Sequence, residues 1–80
     1  MHGQGRFKNR AHLSQFFLEK MVRAFGATWR DEVCKFGIQS KTFEKWVHGL
    51  NRAPKDSKQL HEFAASFGIK QEDIYEKNQI

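Results

Sequence analysis

At 80 residues the chain holds enough material for one compact core, which excludes a second independent domain. Eight Phe, two Trp and one Tyr against six Gly and one Pro favour a folded chain over a disordered one. Fourteen Lys or Arg against nine Asp or Glu leave a formal charge of +5, a positive field that suits nucleic acid or an acidic surface, although many small soluble proteins are basic without either partner.

The first ten residues, MHGQGRFKNR, carry two glycines, three basic residues and little to bury, and read as a flexible basic arm. AHLSQFFLEKMVRAFG then places Leu13, Phe16, Phe17, Met21, Ala24 and Phe25 at helical i, i+3, i+4 spacing, with Leu18 and Val22 widening the face and Gly26 as its C-terminal cap. The extra width points to deeper burial or to a subunit contact. In ATWRDEVCKFG, Thr28 is the expected N-cap with Asp31 three residues on, Trp29, Val33 and Phe36 share a face, and Gly37 stops the helix. Ser40 is the expected cap of the next helix, whose inward stripe is Phe43, Trp46, Val47 and Leu50, with Gly49 at its end.

Asn51 and Pro54 mark LNRAPKDS as a loop, since Pro54 drives the residue before it out of helical geometry. Asp56 or Ser57 caps a fourth helix built on Leu60, Phe63, Ala64 and Phe67 and closed by Gly68. A short acidic helix or turn follows, around Ile69, Ile74 and Tyr75. No segment alternates strongly enough to predict a strand. The expected fold is all-α, a compact bundle of about five short helices, with residues 1–10 as the arm and 11–80 as the domain.

The second and third predicted helices are joined by a short Gly-containing turn, the elements of a helix-turn-helix whose second helix enters the DNA major groove. Gly37 permits a positive φ, while Phe36, Ile38, Phe43 and Trp46 pin the two helices at a fixed angle. At about 100° per residue, Lys41, Lys45 and His48 then project away from the buried stripe, and Gln39, Ser40 and Lys41 form the exposed leading end. Gln can bond adenine at two points, Lys can donate to guanine, and Ser or Thr can meet base or phosphate. Taken alone, outward lysines describe any solvated helix; their place on the second helix of this motif gives them a functional reading.

FGIQSKTFEKWVHG, followed downstream by AP and LHEFAASFGIKQEDI, resembles the Cro and lambda-repressor-like family of helix-turn-helix domains, including phage and prophage repressors. The resemblance covers roughly residues 11–76. It implies that Gln39, Ser40, Lys41 and Thr42 approach base edges, that Lys45 lies deeper in the groove or on its wall, and that Arg30, Asn51 and Arg52 hold phosphates. Three features depart from the family pattern. Val33 replaces a common Ala, Trp29 replaces a polar residue that meets phosphate, and the spacing from Gly49 to Pro54 is about one residue longer than usual.

The arm residues Arg6, Lys8 and Arg10 either follow the DNA backbone or minor groove, or form an inert tail. Cys34, the only cysteine, excludes an intrachain disulfide, reads as a buried inert thiol and fits a reducing cytosol. Neither a signal-type apolar run nor a stretch of about 18 apolar residues is present, so the expectation is a cytoplasmic protein, in the bacterial cytosol or nucleoid, that does not engage a membrane. The histidines His2, His12, His48 and His61 lack the paired spacing of zinc sites, and no nucleophile, base and acid arrangement or phosphate-cradling glycine loop occurs. Neither metal, cofactor nor enzyme activity is expected.

The function expected is therefore sequence-specific binding of double-stranded DNA as a transcriptional regulator of repressor type. One such helix spans few base pairs, so a homodimer on a two-fold operator is expected. The rival is a protein-interaction module on the same scaffold, an antitoxin or adaptor, in which Trp29 and the broad first helix meet a protein partner. RNA binding is a weaker third reading, because the aromatics fall on inward helical faces.

Overall fold

A computed structural model describes residues 9–77. In chain order it comprises β1 (Arg10–Ala11), α1 (Gln15–Phe25), a 3-10 turn (Gly26–Thr28), α2 (Trp29–Cys34), α3 (Ser40–Val47), β2 (Ala53–Pro54), α4 (Lys58–Ala65) and a second 3-10 turn (Gln71–Asp73). The described chain is thus mainly helical with a small antiparallel pair, where an all-α bundle of five helices was expected. The segment read as a short acidic helix or turn makes the second 3-10 turn, and Ile69, Ile74 and Tyr75 around it are buried.

Ser14 starts α1 from extended backbone, its hydroxyl accepting from the Phe17 N–H at 3.0 Å and satisfying one orphan donor of the first turn. The same hydroxyl donates to the Asp73 carbonyl at 2.7 Å, so the cap also fastens the far end of the chain. Leu13, Phe17 and Met21, one per turn, are buried, with Leu18 and Phe25 packed at the margin. The buried stripe is narrower than the predicted face. Phe16 and Val22 are about half exposed, at 49% and 52%, and Ala24 is also exposed. A rotation of about 100° per residue carries Phe16 off the line of Leu13 and Phe17, and the rest of the domain does not reach round to meet it.

Thr28 precedes α2 but does not cap it as expected: its hydroxyl donates back to the Phe25 carbonyl at 2.7 Å, because the chain arrives through a 3-10 turn and not from extended backbone. Trp29 and Val33 are buried and Phe36 is half-buried. Cys34, expected inside, is exposed, one residue round from Val33. Beyond Cys34 the N–H groups of Lys35, Phe36 and Gly37 each bond the carbonyl three residues back, at 3.0–3.1 Å, tightening the chain into Gly37 at φ +87°.

Gln39, not Ser40, occupies the N-cap position of α3, and neither side chain closes the first turn. Phe43 and Trp46 are buried and Val47 is half-buried. The helix closes with the Leu50 N–H on the Lys45 carbonyl at 2.9 Å and the Gly49 N–H on the Trp46 carbonyl at 3.3 Å, the paired bonds of a Schellman cap. That cap turns Leu50 away from the predicted stripe and leaves it 73% exposed.

Ser57 caps α4 through the Leu60 N–H at 3.2 Å, one of the two predicted caps. Leu60, Phe63 and Ala64 are buried beneath it and Phe67 is half-buried. The centre of the molecule is a triangle of rings from three helices: Phe43 and Phe63 meet edge to face at 5.6 Å, and Phe17 stands 6.4 Å from each. Trp29 packs on Phe43 at 5.6 Å and Phe36 on Phe63 at 5.5 Å, so α2 joins the same core.

The two-residue strands were not anticipated, being too short to show alternation. Arg10 pairs with Pro54 and Ala11 with Ala53, extended by the Lys55 N–H on the Asn9 carbonyl at 2.6 Å. Arg10, read as the end of a flexible arm, therefore belongs to the folded unit.

Candidate nucleic-acid interface

The rigid side of α3 determines what its other side can present. Phe43 and Trp46 hold the helix to the core, and α2 packs against it, so residues 41, 44, 45 and 48, at spacings of three and four, share an outward row. Lys41, Lys45 and His48 are exposed and Glu44 is half-buried between them. Among the described residues neither Lys41 nor Lys45 is in an ion pair. Thr42 is exposed on the flank, and at the leading end Gln39 is exposed while Ser40 is half-buried.

Arg30 is committed differently from the reading of it as a phosphate ligand. Its Nη2 and Nε both donate to Glu44 Oε2, at 2.6 and 3.0 Å, and its guanidinium lies 4.4 Å from the centre of the Trp29 ring. Trp29 itself is only 7% exposed and serves as core and as a platform for Arg30. The Arg30 bond, then its charge, hold the Glu44 carboxyl below the usual carboxylate value, and the charge of a protonated His48 acts in the same direction. Both partners remain open to water, with side-chain exposures of 46% and 36%, so solvent and incoming anions can compete for the pair.

Asn51 and Arg52 are exposed on the loop that follows α3. The loop is fastened on two sides. Arg10 Nη1 donates to the Arg52 carbonyl at 2.6 Å beside the β1–β2 pairing, while Tyr75 and His61 hold the carbonyls of Pro54 and Lys55 from the other side. The fold therefore brings Arg10 to Arg52, 42 positions away in sequence. Arg6 and Lys8, the remaining arm candidates, lie outside the described residues.

The row on α3, its leading end and the loop combine ammonium, amide, hydroxyl and guanidinium donors suited to phosphate and to base edges. The sequence pattern assigned Glu44 no role, since its partner lies 14 residues away on another helix and no local spacing links them. Among the described residues no cluster of three or more His, Cys, Asp or Glu side chains could hold a metal ion, and no helix is long and apolar enough to cross a membrane. The chain matches no known family, curated protein or solved structure.

Proposed function

We propose that the chain is a sequence-specific double-stranded DNA-binding protein that regulates transcription as a repressor, with α2 and α3 as a helix-turn-helix and α3 as the recognition helix. The observation that carries this reading is the row of Lys41, Lys45 and His48, exposed on a helix whose opposite side is locked by Phe43 and Trp46. A solvated helix face also exposes lysines; here a second helix braces the row and a doubly fastened loop bearing Asn51 and Arg52 follows it. In this reading Gln39, Ser40, Lys41, Thr42 and Lys45 meet base edges. Asn51 and Arg52 hold phosphates, and Arg10 supports Arg52 from behind.

Useful specificity requires two copies on a two-fold site about one helical turn apart. Binding to a random duplex across a salt series tests the reading: weak binding at low salt that falls steeply as salt rises is the expected result, and no binding to any duplex at low salt ends it. Selection of bound sequences from a random pool should then return a palindrome. Deleting residues 1–8 from the protein and repeating the salt series tests the arm, whose contribution is refuted by an unchanged affinity and slope.

One observation favours the rival reading of a protein-interaction module, an antitoxin or adaptor: Phe16 and Val22 stand about half exposed on α1. The burial of Trp29 removes the other residue on which that reading rested. The same two apolar side chains serve equally as a homodimer contact, so the salt series, and not the apolar surface, separates the readings.

A further inference from the structure

Glu44 is the only acidic residue of α3, and it interrupts the row formed by Lys41, Lys45 and His48. A carboxylate at the centre of a DNA-facing row opposes a polyanion, yet here it is half-exposed and carries two donors from Arg30 on a single oxygen. Arg30 in turn lies with its guanidinium carbon 4.4 Å from the centre of the buried Trp29 ring, while its side chain stays 46% exposed to water. The pair is thus a neutralised acid whose counter-ion is within reach of any anion that approaches α3.

The chemistry of the major groove limits what can replace Arg30. An ionised carboxylate only accepts hydrogen bonds, whereas phosphates, guanine O6 and N7, and thymine O4 also only accept and so repel it. Base amino groups donate, and cytosine N4 is the group that carboxylates read. Resting on the DNA-binding reading above, we propose that Glu44 is a specificity-determining residue and Arg30 its exchangeable counter-ion. At the correct site Glu44 accepts from a cytosine amino group and Arg30 passes to a backbone phosphate. On other sequences Glu44 keeps Arg30, and the phosphate loses that contact.

Two variants of the whole protein, Glu44→Gln and the double variant Arg30→Ala with Glu44→Gln, test the exchange. Each is titrated with a random duplex and with the duplex selected by the wild type, across a salt series, with a thermal melt alongside. Glu44→Gln should bind the random duplex more tightly and with a salt slope steeper by about one, because Arg30 is released to phosphate. The ratio of selected to random affinity should fall about tenfold, and repeated selection should lose a cytosine at one position of each half-site. Adding Arg30→Ala should return the slope to its wild-type value.

The proposal is overturned if Glu44→Gln leaves random-duplex affinity and slope unchanged. It is also overturned if the variant lowers the melting temperature while keeping the cytosine preference, since the pair would then be a strut between helices. If the wild type binds no duplex at all, the DNA reading falls and this proposal with it; wild-type binding with an unaltered Glu44→Gln profile removes the proposal alone.

Discussion

The Tyr75 hydroxyl donates to the Pro54 carbonyl at 2.7 Å, joining the turn after α4 to the loop that follows α3. His61 Nε2 lies 2.9 Å from the Lys55 carbonyl and 3.2 Å from the same hydroxyl. A carbonyl can only accept and the tyrosine proton is already used, so His61 must carry its hydrogen on Nε2. The loop bearing Asn51 and Arg52 is thereby held at its far end by Tyr75, 21 positions from Pro54, and by His61, six from Lys55.

Burial, and secondarily the charge of Asp56, push the Tyr75 hydroxyl up from 10.0 to about 12. A raised value in the folded state means that this stabilisation is complete below about pH 10 and is lost as pH rises through the folded value near 12. Tyr75 is the only tyrosine, so tyrosinate absorbance reports it directly. The titration should run late in the folded protein and at the ordinary value in denaturant; an ordinary midpoint in the folded protein would contradict the burial. Tyr75→Phe should cost about 0.5–1.5 kcal/mol in a denaturant melt and should abolish the absorbance change.

Phe43 packs against Phe17, Phe63, Trp29 and Trp46 together, so no neighbour can relax into its place without leaving another contact. Phe43→Ala should destabilise the domain by about 3–5 kcal/mol. In a chain of this size each kcal/mol lowers the melting temperature by roughly 4–8 °C, so calorimetry should show a large drop or a chain unfolded at ambient temperature. Phe16→Ala, at a half-exposed ring, should shift the melt little.

Gly37 holds φ at +87°, and a Cβ there would meet only the Gln59 side chain, at 3.8 Å. The cost of Gly37→Ala is therefore backbone strain and not collision, on the order of 1–2 kcal/mol. An unfolding free energy lowered by that amount, seen as a lower chemical-denaturation midpoint at constant slope, is the expected result. On the proposed DNA-binding reading, duplex affinity should fall further than stability alone requires, because the same turn sets the angle of α3.

If the proposed DNA-binding function holds, Lys41 and Arg52 should separate base reading from phosphate holding. Lys41→Ala should relax the preferred sequence at particular positions, at a cost of roughly 1–3 kcal/mol on the selected duplex and little on random DNA. Arg52→Ala should weaken binding to every duplex alike and lower the salt slope by about one. Equal losses on both duplexes for both variants would show that neither residue reads a base.

Much of the framework was legible in the chain itself. Trp29, Val33, Phe43, Trp46, Leu60 and Phe63 lie where helical spacing placed them, because a helix repeats every 3.6 residues whatever surrounds it and its apolar stripe must be covered. Gly26, Gly37, Gly49 and Gly68 all take positive φ at turns the sequence marked, since glycine alone enters that region without strain. Caps were less legible: Ser57 caps α4 as read, whereas Thr28 and Ser40 do not cap, because a cap depends on the backbone that leads into it.

Contacts between distant segments were decided by tertiary structure alone. Which residues of α1 are covered depends on how far the other helices reach round it, and so Phe16 is left in water. Arg10 meets Arg52, Tyr75 meets Pro54 and Arg30 meets Glu44 across 42, 21 and 14 residues. No local periodicity encodes such pairings, for they arise only after the ring core has set the helices in place. By itself the sequence determined a small basic chain with four amphipathic helices and exposed donors on the third. The fold decided that one of the expected phosphate ligands, Arg30, is bonded to Glu44, because charge pairing follows distance in space and not order along the chain.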